Sequence, residues 1–243
     1  MSQIALRDRS ARRRVAVIGG SSSIGRHVVS AFCSSGCSVL STYRNNARHD
    51  QMEGETQVAL DLATRSSIEG FAQDVPSHLG EVDVLVLLAG ILPGKSLKDY
   101  GDDEIHRVMD VNFTAQAILV RHLLPHLADG ALTVMVTSIS GERGSYDPIY
   151  AASKAAGAAF TRSMASWMAP KVRFIALAPS LIADSAMYHD MAPERRTYHQ
   201  QRSANKELVS AQDLAAIIVD LASPHWRHLN GGVIRITGGG IDG

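Results

Sequence analysis

The sequence predicts an α/β protein built on a single doubly wound parallel sheet with helices on both faces. Three observations predict it. Short apolar runs of strand type alternate with helix-patterned segments, which requires parallel strands joined by crossovers. The run Val82-Asp83-Val84-Leu85-Val86-Leu87-Leu88 is almost continuously apolar, the mark of a strand buried on both faces. The first strand ends in a glycine- and serine-rich turn, Gly19-Gly20-Ser21-Ser22-Ser23-Ile24-Gly25, which leads directly into helical spacing. At 243 residues, 45% hydrophobic and 20% charged, the chain fits one Rossmann-type domain, 1–243, with a substantial core.

Residues 14–18 form a short apolar strand, stopped by Gly19-Gly20. From 24 to 32 apolar residues recur at helical spacing, and Gly36 ends the segment. Residues 39–43 and 56–60 read as the second and third strands, and 82–88 as the fourth. A helix is expected over 102–127, then a strand at 132–136 that ends in Thr137-Ser138. The helix carrying Tyr150 runs to about residue 168, and 172–178 is another buried strand. After a polar excursion come a helix over 211–222 and a last strand at 233–237. No internal repeat, low-complexity tract or interdomain linker interrupts this order.

Composition narrows the class. Formal net charge is zero, so no nucleic-acid partner and no membrane surface is expected. No apolar run reaches the ~20 residues that cross a bilayer, and no apolar leader follows Met1. The expected compartment is cytoplasmic. The basic cluster Arg7, Arg9, Arg12, Arg13 and Arg14 leads into the first strand and reads as a solvated N-terminal arm, over 1–13. Cys33 and Cys37, the only cysteines, read as small buried groups. His122 and His126 have the spacing of two metal ligands, but no acid follows His122 and no third ligand is evident. A helix surface or interface is expected there, and no metal.

In a doubly wound sheet, ligands bind at the carboxyl ends of the strands. The notable residues lie mostly there: the Gly19 turn, Tyr43-Arg44, Asp61-Leu62, Ala89-Gly90, Ser138 and Pro179-Ser180. Gly19 permits a tight turn, Gly25 lets the helix approach the sheet, and N–H groups at the helix start can hold a pyrophosphate. Tyr150 and Lys154 lie four residues apart in an alanine-rich helix, so both emerge from one face. A cation beside a phenol lowers its pKa and makes tyrosine a usable proton donor or acceptor. Ser138 brings a hydroxyl to a strand end just before that helix. Which dinucleotide binds is read from the second strand. An NAD site carries an acid at its end, whereas this strand ends Ser41-Thr42-Tyr43-Arg44 with none. Arg44 can clamp a 2′-phosphate, so NADP(H) is favoured over NAD(H).

Together these residues resemble the short-chain dehydrogenase/reductase family in its common ~250-residue form, over nearly the whole chain, 15–239. The family's T-G-x-x-x-G-I-G turn falls on 18–25, and its Asn-Ser-Tyr-Lys set on Asn112, Ser138, Tyr150 and Lys154. Asp61-Leu62 matches the pair that packs against adenine, and Val111-Asn112 the short asparagine motif. Four places depart from the pattern. Ser23 replaces the middle glycine, Leu87-Leu88 replaces an Asn pair, Ser180 replaces the glycine after Pro179, and Asp184 replaces a threonine at the nicotinamide half.

The resemblance implies that Tyr150 gives a proton to a carbonyl oxygen as hydride arrives, and that Lys154 lowers its pKa and binds ribose hydroxyls. It implies that Ser138 holds the substrate oxygen and that Asn112 holds a water through its backbone. The cofactor is expected to meet Gly19, Ser21, Ser22, Ser23 and Ile24 at the turn. Further along it meets Tyr43, Arg44, Asp61, Leu62, Ala89 and Gly90, and at the nicotinamide end Tyr150, Lys154, Pro179, Ser180 and Ile182. Residues 184–207, with Met187, Tyr188, Met191 and Tyr198, lie where the family keeps its substrate lid. A homo-oligomer, tetramer or dimer, is implied through helices 102–127 and 150–168. The expected activity is NADPH-dependent reduction of a small-molecule carbonyl, of 3-oxoacyl or similar type. Oxidation of an alcohol, polyol or sugar is the alternative within enzymes, and a non-catalytic dinucleotide-binding regulator the alternative outside them. The altered turn and Asp184 favour the regulator; the intact catalytic set opposes it.

Overall fold

A computed structural model describes residues 12–240. β1 (Arg14–Ile18) leads through the glycine-serine turn into α1 (Ser23–Ser34). β2 (Ser38–Tyr43), β3 (Glu55–Ala59), α2 (Arg65–Leu79) and β4 (Val82–Leu87) follow. Next come α3 (Asp102–Met109), a π turn (Asp110–Thr114), α4 (Ala115–Leu123), β5 (Leu127–Val136), α5 (Ser140–Arg143) and α6 (Pro148–Met168). After β6 (Val172–Pro179) the chain forms β7 (Ile182–Ala183), α7 (Ala186–His189), α8 (Pro193–Arg202) and β8 (Val209–Ser210). It closes with α9 (Ala211–Leu221) and β9 (Val233–Ile236).

The main sheet has seven parallel strands in the order β3-β2-β1-β4-β5-β6-β9, and β7 pairs with β8 separately. Chain order reverses between β1 and β4, which opens a crevice at their carboxyl ends. Alternation along the strands fills two cores. Ala16, Ile18, Leu85 and Leu87 face α2, α4 and α6, whereas Val15, Val17, Val84 and Val86 face α1 and α9. A strand wanted by both layers has no polar face, which is why β4 reads as a continuous apolar run.

Several boundaries differ from expectation, each for a local reason. α2 was not anticipated, although Ile68, Phe71, Ala72 and Val75 repeat at helical spacing on its buried face. The helix expected over 102–127 is interrupted by the π turn and ends in a 3₁₀ turn, Leu124–His126, that contains Pro125. β5 starts at Leu127 rather than 132, because Gly130 at φ +82° and a register shift opposite Val82/Val84 let the strand bend without ending. α6 begins at Pro148, two residues before Tyr150, with Asp147 as its N-cap. The polar excursion holds α7 and α8, and α8 buries none of its ten residues.

Residues 1–11 of the expected arm lie outside the described residues. Arg12, still within the expected arm, is exposed but donates to the Gly36 carbonyl at 2.7 Å, and Arg14, the first residue of β1, is ion-paired to Asp83 at 2.9 Å. Cys33 and Cys37 are free, and burial raises the Cys33 thiol to about 11, consistent with inert packing groups. Among the described residues no helix is long and apolar enough to cross a membrane.

Candidate active site

The glycine-serine turn is shaped by what passes through it. Gly19 sits at φ +90°, where an added Cβ would come 3.1 Å from the Ala89 nitrogen. A Cβ on Gly25 would lie 2.1 Å from the Gly19 oxygen, so only glycine lets α1 start here. β2 steadies the turn: the Thr42 hydroxyl accepts from the Gly19 N–H at 2.9 Å and its carbonyl from the Ser21 N–H at 3.1 Å. The Ser22 hydroxyl serves the turn itself, donating to the Gly19 carbonyl at 2.8 Å and capping α1 by accepting from the Gly25 N–H at 2.9 Å. Ser23 looks outward, and its hydroxyl accepts the N–H of Ala186 at 3.1 Å.

At the end of β2, Tyr43 is half-buried and Arg44 is exposed, with no hydrogen bond or ion pair to another described residue. The sequence reading missed a neighbouring pair. Buried Glu55 is held in a fork by Arg48, with both oxygens 2.6 Å from one guanidinium nitrogen, and Arg48 also donates to the Gly20 carbonyl at 3.2 Å. An acid therefore does stand beside β2, but Arg48 cancels its charge. Nothing in the spacing of Arg48 and Glu55 signals the pair. Asp61 organises the start of α2, its carboxylate accepting from the Ala63 N–H at 3.0 Å and the Thr64 hydroxyl at 3.2 Å, while Leu62 is buried in the core.

The carboxyl end of β4 is held from the π turn. Gln116 donates to the carbonyls of Ala89, Val111 and Asn112 at 2.8, 3.1 and 3.0 Å. Asn112 accepts from the Ile91 N–H at 2.8 Å and donates to the Ile91 carbonyl and the Ser153 hydroxyl, both at 3.0 Å. Its backbone carbonyl, in the backbone expected to hold a water, accepts from the Gln116 side chain. Leu87 and Leu88, in place of an Asn pair, pack into the cores instead of buttressing the turn. Gly90 faces a notch in which an added Cβ would lie 3.2 Å from Lys154 Nζ and 3.4 Å from Asn112 Oδ1.

Ser138, Tyr150, Lys154 and Asn112 converge here. Tyr150 and Lys154 emerge from one face of α6, with Nζ 5.7 Å from the ring centroid, and Nζ donates to the Val136 carbonyl at 3.1 Å. Ser138 is hydrogen-bonded to the Tyr150 phenol and accepts from the Ser140 N–H at 3.1 Å. The electrostatics differ from expectation. Burial pushes the Tyr150 phenol above its ordinary range, the Ser138 bond pulls it back, and the Asp147 carboxylate pushes it up again. Burial also lowers the Lys154 ammonium to about 8. Desolvation thus outweighs the expected lowering of the phenol by Lys154.

Asp147, which the sequence reading also missed, is 1% exposed and caps α6. An Asp directly before Pro148 is the signal that marks it, since proline is favoured at the first helical position after a capping acid. On the far side, Pro179 ends β6, the Ser180 N–H donates to the Ile236 carbonyl at 3.0 Å, and Ile182 is buried in β7. Asp184 takes φ +63°, a region Asp tolerates better than most residues, and is exposed. Ile139, Arg143, Ser180, His199, Arg202 and Ser203 line a cleft of about 30 Å³ between these strand ends and α8. Burial and the charges of Arg143, Arg195 and Arg202 lower the His199 pKa. His122 and His126 line a separate groove with Glu69 and Gln73, and no cluster of three metal-binding side chains occurs among the described residues.

Residues 18–240 match the protein family described as enoyl-(acyl carrier protein) reductase. The chain is 27% identical over 243 residues to glucose and ribitol dehydrogenase homolog 2 of Arabidopsis thaliana, covering 93% of this chain and 84% of that protein. It is 26% identical over 260 residues to the hydroxynaphthalene reductase-like protein Arp2 of Metarhizium brunneum (strain ARSEF 3297), covering 96% and 97%. A solved short chain dehydrogenase from Burkholderia cenocepacia J2315, in complex with NADP, superposes with a TM-score of 0.87 at 27% identity, covering 94% of this chain and 97% of that one.

Proposed function

The chain belongs to the short-chain dehydrogenase/reductase family and is an oxidoreductase, and we propose that it uses NADP(H) to reduce the carbonyl of a small ketone, of 3-oxoacyl or similar type. One observation carries the direction. The Tyr150 phenol is hydrogen-bonded to Ser138 just beyond β5, with Lys154 buried behind it, and burial shifts its pKa upward, which favours the protonated form. A phenol that keeps its proton at neutral pH is placed to donate one.

The residues present fit a dinucleotide. The turn is tight against the start of α1, and the notch at Gly90 lies between the polar ends of Lys154 and Asn112. When bound, the cofactor supplies the hydride. Tyr150 gives its proton to the carbonyl oxygen. Ser138 donates a hydrogen bond to that oxygen and stabilises its developing charge. Lys154 adds a positive field in a site where burial makes it strong. NADP(H) over NAD(H) is supported by unpaired, exposed Arg44 beyond β2 and by the neutralisation of Glu55 by Arg48, which leaves no bare acid to repel a 2′-phosphate. Residues 184–207 are proposed to cover the substrate, and a homo-oligomer through α4 and α6 is proposed on family resemblance.

A second reading has its own support: a sugar or polyol dehydrogenase, favoured by the name of the Arabidopsis relative. The same screen separates the two. Purified protein is given a ketone panel with NADPH or NADH, and an alcohol, polyol and sugar panel with NADP⁺ or NAD⁺. Ketone-dependent oxidation of NADPH faster than of NADH supports the reductase. Turnover confined to the alcohol panel replaces it with the dehydrogenase.

A further inference from the structure

Asp147 sits three residues before the general acid, and four donors converge on its carboxylate. One oxygen accepts the Tyr150 N–H at 2.9 Å. The other accepts the N–H groups of Gly94 at 2.9 Å and Lys95 at 3.3 Å. The Tyr100 hydroxyl donates at 2.8 Å to both. The Lys95 ammonium is turned away to Glu104 at 2.7 Å, so these four bonds, and no close cation among the described residues, hold the buried charge. Placing an anion in the interior beside a tyrosine is costly unless it is fully hydrogen-bonded, as it is here.

The knot joins three parts of the chain: the segment after β4, Tyr100 at the approach to α3, and the first turn of α6. Asn112 fixes the other end of that segment by its paired bonds to Ile91 and its bond to Ser153. Residues 91–100 are therefore anchored at both ends within one turn of Tyr150. We propose that Asp147 is a positioning residue of the reaction, whose carboxylate sets the 94–100 segment against the catalytic helix and so fixes the substrate-side wall relative to the Tyr150 phenol. Only an acid does this. A carboxylate accepts on both oxygens, whereas an asparagine would turn an NH₂ toward the N–H groups of Gly94 and Lys95. Asparagine caps a helix as well as aspartate does, so Asp147→Asn keeps the cap and loses the segment.

The kinetic arm of this proposal rests on the reductase reading; two other arms do not. The charged and titratable groups around the knot are Tyr100, Lys95 and Glu104 from the segment and α3, and Tyr150 from α6. Tyr150 in turn faces Ser138 and Lys154. Asp147→Asn and Tyr100→Phe are compared with the full-length parent in three measurements. Hydrogen exchange is followed at the amides of residues 94, 95 and 150. Tyr150 is titrated by phenolate absorbance, as the difference from a matching Tyr150→Phe protein, without substrate or cofactor. KM and kcat are measured for the ketone that the screen identifies.

In Asp147→Asn, amides 94 and 95 should exchange faster while amide 150 stays protected, and the Tyr150 phenol should titrate at lower pH. KM should rise roughly 10-fold with a smaller change in kcat. Tyr100→Phe should raise KM roughly threefold, loosen amides 94 and 95, and leave the Tyr150 titration in place. Parent-like exchange at 94 and 95 in Asp147→Asn, or an unmoved phenol titration, overturns the proposal. If Asp147→Asn fails to fold, unchanged exchange and KM in Tyr100→Phe overturn it. A parent that turns over no carbonyl defeats the reductase reading instead, and leaves exchange and titration to judge Asp147.

Discussion

The hydroxyl of Ser23 accepts the backbone N–H of Ala186 at 3.1 Å, joining the first residue of α1 to the first residue of α7 across 163 positions of sequence. Buried Ser185 caps α7 from the adjacent position, accepting from the Tyr188 N–H at 3.1 Å. The residue that stands where the resemblance expects a glycine is thus one that ties the segment after β7 to the glycine-serine turn.

Ser23→Gly should free that segment without changing the fold. The amide of residue 186 should exchange faster, and NADPH should bind roughly two- to tenfold more weakly, the worth of one ordinary hydrogen bond. Exchange at 186 identical to the parent would show that the contact carries nothing.

Tyr150→Phe should abolish most turnover and spare the dinucleotide site. The ring and its packing remain while the transferable proton is lost, so kcat should fall by ~10²–10⁴-fold with NADPH affinity within error of the parent. Stopped-flow turnover and fluorescence titration measure the two separately.

The reductive rate should fall as pH rises through about 8, where the Lys154 ammonium loses its proton. The sign follows from the shift. Burial lowers this base, so the charged form that supports proton donation is present well below about 8 and is lost progressively as pH rises through it. Tyr150, shifted upward, stays protonated across the same range. A kcat/KM profile should show the alkaline limb in the parent and none in Lys154→Ala; a flat parent profile from pH 7 to 9 would refute it.

Arg44→Ala should weaken NADPH roughly ten- to a hundredfold and NADH little, because only NADPH carries the 2′-phosphate. Arg48→Ala should behave differently. It strands buried Glu55 without its partner, which should lower stability by about 3–5 kcal/mol. Binding titrations of both cofactors and chemical denaturation separate the two arginines, and equal weakening of NADPH and NADH in Arg44→Ala would remove it as the discriminator.

How much of this was legible depends on whether a feature is written in local pattern. β4 and β6 were, because burial on both faces leaves nothing but apolar residues. So were Tyr150 and Lys154, whose spacing is one helical turn. α2 was present as a period in Ile68, Phe71, Ala72 and Val75, yet Pro76 and a polar remainder obscured it. The π turn under Asn112 and the bend at Gly130 depend on tertiary contacts and leave no period at all. The carboxylate knot at Asp147 and the Arg48–Glu55 pair join residues that only the fold brings together; of these, only Asp147 before Pro148 had a local mark. The phenol was misjudged for the same reason. Spacing places a cation beside it, but only the packed structure shows how far water is excluded from both.

α8 has ten residues and buries none, so neither its length nor its packing sustains it. Its links to the preceding segment include the two bonds from Arg196 to the carbonyls of His189 and Met191. For a compound that this helix covers, the measured affinity is the intrinsic affinity multiplied by the fraction of molecules in which the helix is in place. A small ketone that leaves α8 untouched is indifferent to that fraction, whereas a larger one shifts it as it binds. If residues 184–207 cover the substrate as proposed, substrate ranking depends partly on how readily α8, whose His199 and Arg202 line the cleft, is in place. A substitution far from the phenol can then reorder preferences without touching the chemistry.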